Sequence, residues 1–373
     1  MINKLQYDAI IIGGGFYGSM VALHLSKSIG IKKVAILEKE SKIFSRASSN
    51  NQYRIHNGYH YPRSFNTANR SRINFKKFIK EWPIEVINKG VTSLYAIPKL
   101  LSKINANQFV KFCHSIDAKI KPSNKHDWRF FDKSKFDGIF ETQEYCFNQR
   151  YLKEKIEKDL NLNDIDTFFK NEVIEITKGA NSSLKLKVLE DESIQTFNCD
   201  LVINCSYSGL NQLRGDLLGP STKLKHEIVE IVFVEAPVDL IGYGVTIMDG
   251  PFFSILPTSN KRVHSLTHVR YSPHLTWIDN TEINPYNRFS SYKKNTRVER
   301  MIRSAEKYMP MLGNSKYIGS KFEIKTILEK NEIDDGRPIF FEKDKNLPNL
   351  FYVLGSKIDN IYDVLDKLEQ EFK

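Results

Sequence analysis

The chain has 373 residues, 41% apolar and 27% charged, which excludes a disordered or fibrous protein and allows one large domain or two that share an interface. Its formal net charge is +11, but the lysines fall in scattered pairs such as Lys32-Lys33 and Lys76-Lys77 without an aromatic-basic stripe, so a lysine-rich surface is expected and nucleic acid is not. Four cysteines without CxxC or zinc spacing argue against a disulfide framework or a metal site, and no apolar run reaches the roughly 18 residues of a membrane helix. Reduced, buried thiols and a cytoplasmic location are the expectations, with a basic surface compatible with peripheral membrane contact.

The first element is the apolar, β-branched run "AIIIGGG" from Ala9, which suits a strand buried on both faces. It runs into Gly13-Gly14-Gly15-Phe16-Tyr17-Gly18, a GxGxxG, followed by "SMVALHLSKSIG", a helix with Gly30 as its stop. "KKVAILEKE" supplies a second strand ending at Glu38. In such a βαβ unit Gly13 permits the tight turn, Gly15 lets backbone approach a pyrophosphate, and Gly18 lets the helix pack on the strand. The helix N-terminus offers free N–H groups to phosphate, and Glu38 can accept hydrogen bonds from a ribose. A dinucleotide site is therefore expected; the spacing does not separate NAD from FAD.

The next segment is "RASSNNQYRIHNGYHYPRS", Arg46 to Ser64. With the fingerprint just upstream, it resembles the D-amino-acid-oxidase-like (DAO) superfamily of FAD oxidoreductases, which includes glycine oxidase, sarcosine oxidase, L-2-hydroxyglutarate oxidase and flavin-linked glycerol-3-phosphate dehydrogenases. There a Ser/Asn-rich turn precedes an "IHxG" stretch beneath the flavin, here Ile55-His56-Asn57-Gly58. The resemblance implies FAD as cofactor, with Gly13, Gly15, Phe16, Tyr17, Gly18, Glu38 and Lys39 forming the nucleotide cradle. Ser48, Ser49, Asn51, His56 and Gly58 would lie along the pyrophosphate and flavin. His60 and Tyr61 occupy the positions of an Arg-Tyr pair at the substrate in the glycerol-phosphate members, and the change from Arg to His60 leaves the substrate open. Noncovalent FAD is expected, with His56 and His60 as the alternatives for attachment.

Further along, "NANQFVKFCHSIDAKI" reads as a helix within a lysine-rich excursion over 75–148, and no solenoid repeat or low-complexity linker divides the chain. The resemblance makes Val173 in "NEVIEIT" the backbone contact to adenine and Gly209 in "CDLVINCSYSGLNQL" a contact to the cofactor. "YGVTIMDGPFFSILPTSNKRVHSLTHVRYSPH" reads as strands with a turn at Thr258 to Lys261. Period-two phasing places His264, Leu266, His268 and Arg270 on one face, so His268 and Arg270 point together toward a site. "DDGRPIF" (Asp334 to Phe340) resembles the family's RP segment, which makes Arg337 the anchor for an anionic substrate group. "NLFYVLGSKIDNIYDVLDKLEQEF" reads as strand, glycine turn and helix. Gly355, Ser356, Lys357 and Ile358 stand where the family has a GGKxT-type sequence facing the flavin, with Lys357 as a cation beside the ring.

The resemblance implies an α/β, Rossmann-like FAD-binding domain of DAO type with an interleaved, mainly antiparallel β-sheet substrate domain. Residues 1–80, 147–215 and 325–373 are expected in the former, 81–146 and 216–324 in the latter. The implied reaction removes hydride from a C–H next to an amine or hydroxyl of a small anionic substrate, an amino acid or 2-hydroxy acid. Arg337 and Arg270 would hold the anion, and His60, His268 and Tyr61 are the alternatives for taking an alcohol proton. The other readings are oxidation of a sugar or sugar-linked alcohol or amine, a non-redox flavin mutase of the galactopyranose mutase kind, whose "GxGFxG" is similar to Gly13 to Gly18, and a flavin-binding protein without catalysis.

Overall fold

Alternating apolar side chains bury the first sheet on both faces. Strand β1 (Leu5–Ile12) leads into helix α1 (Phe16–His24), which continues as a π turn over Leu25–Ile29 and stops at Gly30 with φ +86°. Strand β2 (Val34–Glu38) then pairs parallel to β1. Ala9, Ile11 and Ile36 face one core with α1 and the C-terminal helix Ile361–Phe372, while Ile10, Ile12, Ala35 and Leu37 face the other. The computed structural model describes residues 5–329 and 336–373. Asp334 and Asp335 of the segment ending in Phe340 lie outside them.

The parallel run continues with Asp166–Phe169 beside β2 and with the long strand Ser193–Asn204 on the far side of β1. That strand is shared along one edge. Its first half pairs antiparallel with Leu184–Glu190, and its second half pairs parallel with Leu350–Leu354. Asn171–Lys178 extends the antiparallel part. The ends of β1, β2, Ser193–Asn204 and Leu350–Leu354 thus converge, and such carboxyl ends are where open α/β sheets bind ligands.

A second sheet covers this convergence. Leu224–Glu235 pairs antiparallel with Lys316–Leu328 along one edge and is divided between Val263–His268 and Pro273–Ile278 on the other. Phe253–Pro257, Tyr243–Ile247, Thr92–Pro98 and Phe136–Thr142 follow outward, with one parallel pair, Tyr243–Ile247 on Thr92–Pro98. The mainly antiparallel expectation holds. The helix expected near residue 106 runs Ala106–Ser115, begun by an Asn105/Gln108 capping box. All four cysteines are free and buried. Among the described residues no helix is long and apolar enough to cross a membrane.

Candidate active site

A cavity of about 1570 Å³ lies between the two sheets. Its first end is made by the βαβ unit. Gly13 has φ +100°, and a Cβ there would stand 2.9 Å from the Cys205 carbonyl oxygen. A Cβ on Gly18 would overlap the Gly13 carbonyl, so α1 packs on β1 only without one. Glu38, 8% exposed at the end of β2, accepts from the Gly14 N–H at 2.6 Å and the Glu40 N–H at 2.8 Å. Each oxygen keeps a second lone pair for a hydroxyl donor, and burial raises the carboxyl pKa. Lys39 beside it places its ammonium 3.2 Å from the centroid of the Tyr286 ring.

The middle is built from loops. Ser48 Oγ accepts the Phe16 N–H at 2.9 Å, which ties the Arg46–Ser64 loop to the first turn of α1. Tyr17 crosses to the C-terminal turn and donates its hydroxyl to the Lys357 carbonyl at 2.6 Å. A Cβ on Gly355 would overlap the Tyr17 phenol, so this crossing needs glycine there. Lys357 is 6% exposed. Its ammonium hydrogen-bonds Ser71 Oγ, stands 3.5 Å from Asp359 Oδ2 and lies 4.8 Å above the Tyr61 ring. Burial lowers its pKa, opposed by the Asp359 charge.

The far end is a side-chain network. Arg54 donates to Tyr95 Oη at 2.9 Å and to Glu144 Oε2 at 3.3 Å, and Tyr95 donates to the same carboxylate. Burial alone would raise the Glu144 pKa, but the Arg54 charge and the hydrogen bonds offered by His56 and Tyr95 win, and it falls to about 2. His56 Nδ1 stands 3.4 Å from Glu144 Oε1. The rings of His56, His60 and Tyr61 lie 5.4–5.5 Å apart, centroid to centroid. Burial, then the Arg54 and His56 charges, holds His60 well below the usual histidine pKa, so it is neutral. Arg54 Nη1 is 3.4 Å from His60 Nδ1. A guanidinium can only donate, so Nδ1 accepts and Nε2 carries the hydrogen. Arg337 lines the same end; its backbone N–H donates to Thr67 Oγ1 at 3.1 Å and its Nη1 to the Gly336 carbonyl.

Of the residues expected at the site, Gly13, Gly15, Phe16, Tyr17, Glu38, Lys39, Ser48, Asn51, His56, His60, Tyr61, Val173, Gly209, Arg337, Gly355, Lys357 and Ile358 line the cavity. Asn51 does so with its amide engaged inside the loop, by the Ala47 carbonyl and the Tyr53 N–H. Three placements need correction, those of Ser49, Gly58 and Arg270. Ser49 turns away, donating to the Phe44 carbonyl and accepting from Gln149 Nε2. Gly58, φ +93°, gives close packing to Ala68 and Ile116 rather than to the cavity. The strand carrying His268 ends there, so Arg270 lies on an exposed turn. His268 accepts the Arg270 backbone N–H at Nδ1, and its Nε2 is 2.9 Å from Ser304 Oγ; burial, then the Arg270 charge, lowers its pKa to about 4. It lines the cavity but holds both nitrogens in structural bonds. The opposite face of that strand meets the loop, where Thr267 Oγ1 donates to Gln52 Oε1 at 2.8 Å.

Sequence reasoning missed Arg54, Glu144, Gln52, Thr267 and Tyr286. Arg54 was visible as the residue two before His56, but its partner Glu144 lies 90 positions away with no motif around it.

A family model described as "FAD dependent oxidoreductase" (DAO) matches residues 8–357. Glycine oxidase from Geobacillus kaustophilus superposes with a TM-score of 0.73 at 16% identity, covering 99% of this chain and 95% of that one. The FAD-bound L-α-glycerophosphate oxidase from Mycoplasma pneumoniae gives 0.74 at 14% identity, with 98% and 94% covered. FAD-dependent monooxygenase FPY4 from Fusarium mangiferae is 26% identical over 271 residues. That alignment takes in 70% of this chain and spans 64% of the length of FPY4.

Proposed function

The chain belongs to the DAO family of FAD dependent oxidoreductases, and from that premise we propose that it removes hydride from a C–H bond next to a hydroxyl or amine of a small anionic substrate held at the Arg337 end of the cavity. The residues present fit FAD: a glycine cradle that a Cβ would fill, a buried carboxylate with lone pairs to spare, and one continuous cavity from Lys39 and Val173 to Lys357 and Tyr61. When bound, FAD supplies the hydride acceptor. Membership of a redox family removes the mutase reading.

The observation that carries the proposal is the grouping of Arg337 with His60, Tyr61 and Lys357 at one cavity end. The Arg337 guanidinium binds the substrate anion and sets its orientation, which converts an encounter into a near-attack geometry. His60, neutral with hydrogen on Nε2, serves as a donor to a substrate oxygen and not as the base. The proton acceptor is His56. With the hydrogen on Nδ1, 3.4 Å from the Glu144 carboxylate, Nε2 is the atom that takes a hydroxyl proton, an acid–imidazole pairing suited to that step.

Anaerobic mixing with amino acids, 2-hydroxy acids, glycerol phosphate and sugar derivatives tests this by bleaching of the flavin absorbance. Bleaching by an anionic member is expected, and Arg337→Ala should raise its KM roughly 100-fold with kcat less affected. An unchanged KM removes Arg337 from the substrate site. A second reading, a sugar or sugar-linked alcohol or amine, draws on the polar wall of Gln52, Thr267 and the Glu227–Lys325 ion pair (3.0 Å); bleaching by neutral sugars alone would select it. Incorporation of an atom of O₂ into product would instead align the chain with the activity in the FPY4 name.

A further inference from the structure

The segment 279–292 leaves the second sheet and crosses the nucleotide end of the cavity. Its start is anchored. Asp279, with a wholly buried side chain, lies 3.0 Å from His226 Nε2 and accepts from Asn211 Nδ2 at 2.7 Å. Gln212 Nε2 reaches the Asn280 carbonyl at 3.4 Å. At the other end Phe289 is buried with Trp277, Ile228 and Ile324, and the Tyr292 hydroxyl lies 3.2 Å from His274 Nδ1. Between these anchors Thr281, Glu282, Asn284, Tyr286 and Asn287 wall the cavity.

Tyr286 is the point of closure. Its hydroxyl donates to the Ser206 carbonyl at 3.1 Å, and its ring edge meets the place where a Gly209 Cβ would stand, at 3.4 Å. One ring contact is the Lys39 ammonium at 3.2 Å and another the Arg46 guanidinium at 5.0 Å. Arg46 also lies 4.7 Å from the Phe289 ring and is ion-paired with Glu323 at 2.9 Å. One side chain therefore joins the end of β2, the turn after Ser193–Asn204 and the start of the Arg46–Ser64 loop. All three line the nucleotide end, and none is close to Tyr286 in sequence.

We propose that Tyr286 is a cofactor-retaining residue: the strap 279–292 is latched over the nucleotide by its ring and hydroxyl, and FAD leaves only when that latch opens. The inference rests on the reading that FAD occupies this cavity. Cation–π contact between Lys39 and the partly buried Tyr286 ring, together with one neutral hydrogen bond, has the strength for such a latch.

The test is the rate at which the purified holoenzyme releases FAD on dilution, followed by the rise of free-flavin fluorescence. Tyr286→Ala should release FAD about tenfold faster or more, and Tyr286→Phe, which keeps the ring, only about threefold faster. An alanine variant that binds FAD and releases it at the wild-type rate overturns the proposal. Should Tyr286→Ala not fold, Lys39→Met is expected to speed release in the same way, and release at the wild-type rate there overturns the proposal equally. Hydrogen exchange gives an independent reading: amides of 279–292 should gain protection when FAD is added to apoprotein, and no gain counts against the latch. A wild-type protein that neither contains nor binds FAD would defeat the cavity assignment itself, a result distinct from a failed latch.

Discussion

The two ends of the cavity are built in opposite ways. The βαβ end and the loops beside it are made by removing side chains: glycines at 13, 18 and 355 let backbone and ring pass at distances a Cβ would block. The far end is made by filling space with charge, with Arg54, Glu144, Tyr95 and His56 brought together from three segments and all but His56 buried. The first construction is tolerant of composition and intolerant of volume. The second is the reverse, because a buried charge that loses its partner has nothing to replace it.

Substitutions sharpen that contrast, the largest effect at the charged end. Glu144→Gln keeps the volume but leaves Arg54 buried without its counter-charge, and should cost about 3–5 kcal/mol in urea unfolding. Arg54→Met with Glu144→Leu should lose much less; a double variant as unstable as the single would show that shape and not charge governs this end. The same pair has an acid signature. Glu144 titrates at about 2 when folded and near 4.3 when unfolded, so its contribution is present above the unfolded value and is lost as pH falls from there toward 2.

At the other end Gly18→Ala adds one methyl group and no charge, yet it meets the Gly13 carbonyl. A loss of about 1–3 kcal/mol and protein purifying with little flavin are expected, read from unfolding and from visible absorbance. If FAD occupancy is unchanged, the close packing of α1 on β1 is not what forms the cradle. The smallest effect belongs to His268→Gln, about 1 kcal/mol from its hydrogen bonds to Ser304 and the Arg270 amide. The folded histidine pKa is lowered to about 4 against near 6.5 unfolded, so this group leaves stability unchanged above 6.5 and stability falls as pH drops through that interval, because the unfolded chain binds the proton first. A variant that keeps the wild-type slope there would assign the slope to another group.

What the sequence determined unaided was the part whose physics is local. Strand, glycine turn, helix and second strand lie within 31 consecutive residues, Asp8 to Glu38. Their patterns of burial and steric need can be read without knowing what packs on them, and the Gly30 stop and the glycine turn at Gly355 were legible for the same reason. The phase of the strand ending at His268 was not. Alternation identifies two faces, but which face meets the Arg46–Ser64 loop depends on where the strand stops and on which sheet lies opposite. Glu144, Thr267 and Tyr286 carry no local signal, since a carboxylate, a hydroxyl or a phenol is equally at home on a surface. Only the packing of the tertiary structure gives them partners, buries Glu144 and partly covers the other two, and so turns ordinary side chains into a site, because burial and charge pairing are properties of the assembled interior and not of any stretch of chain.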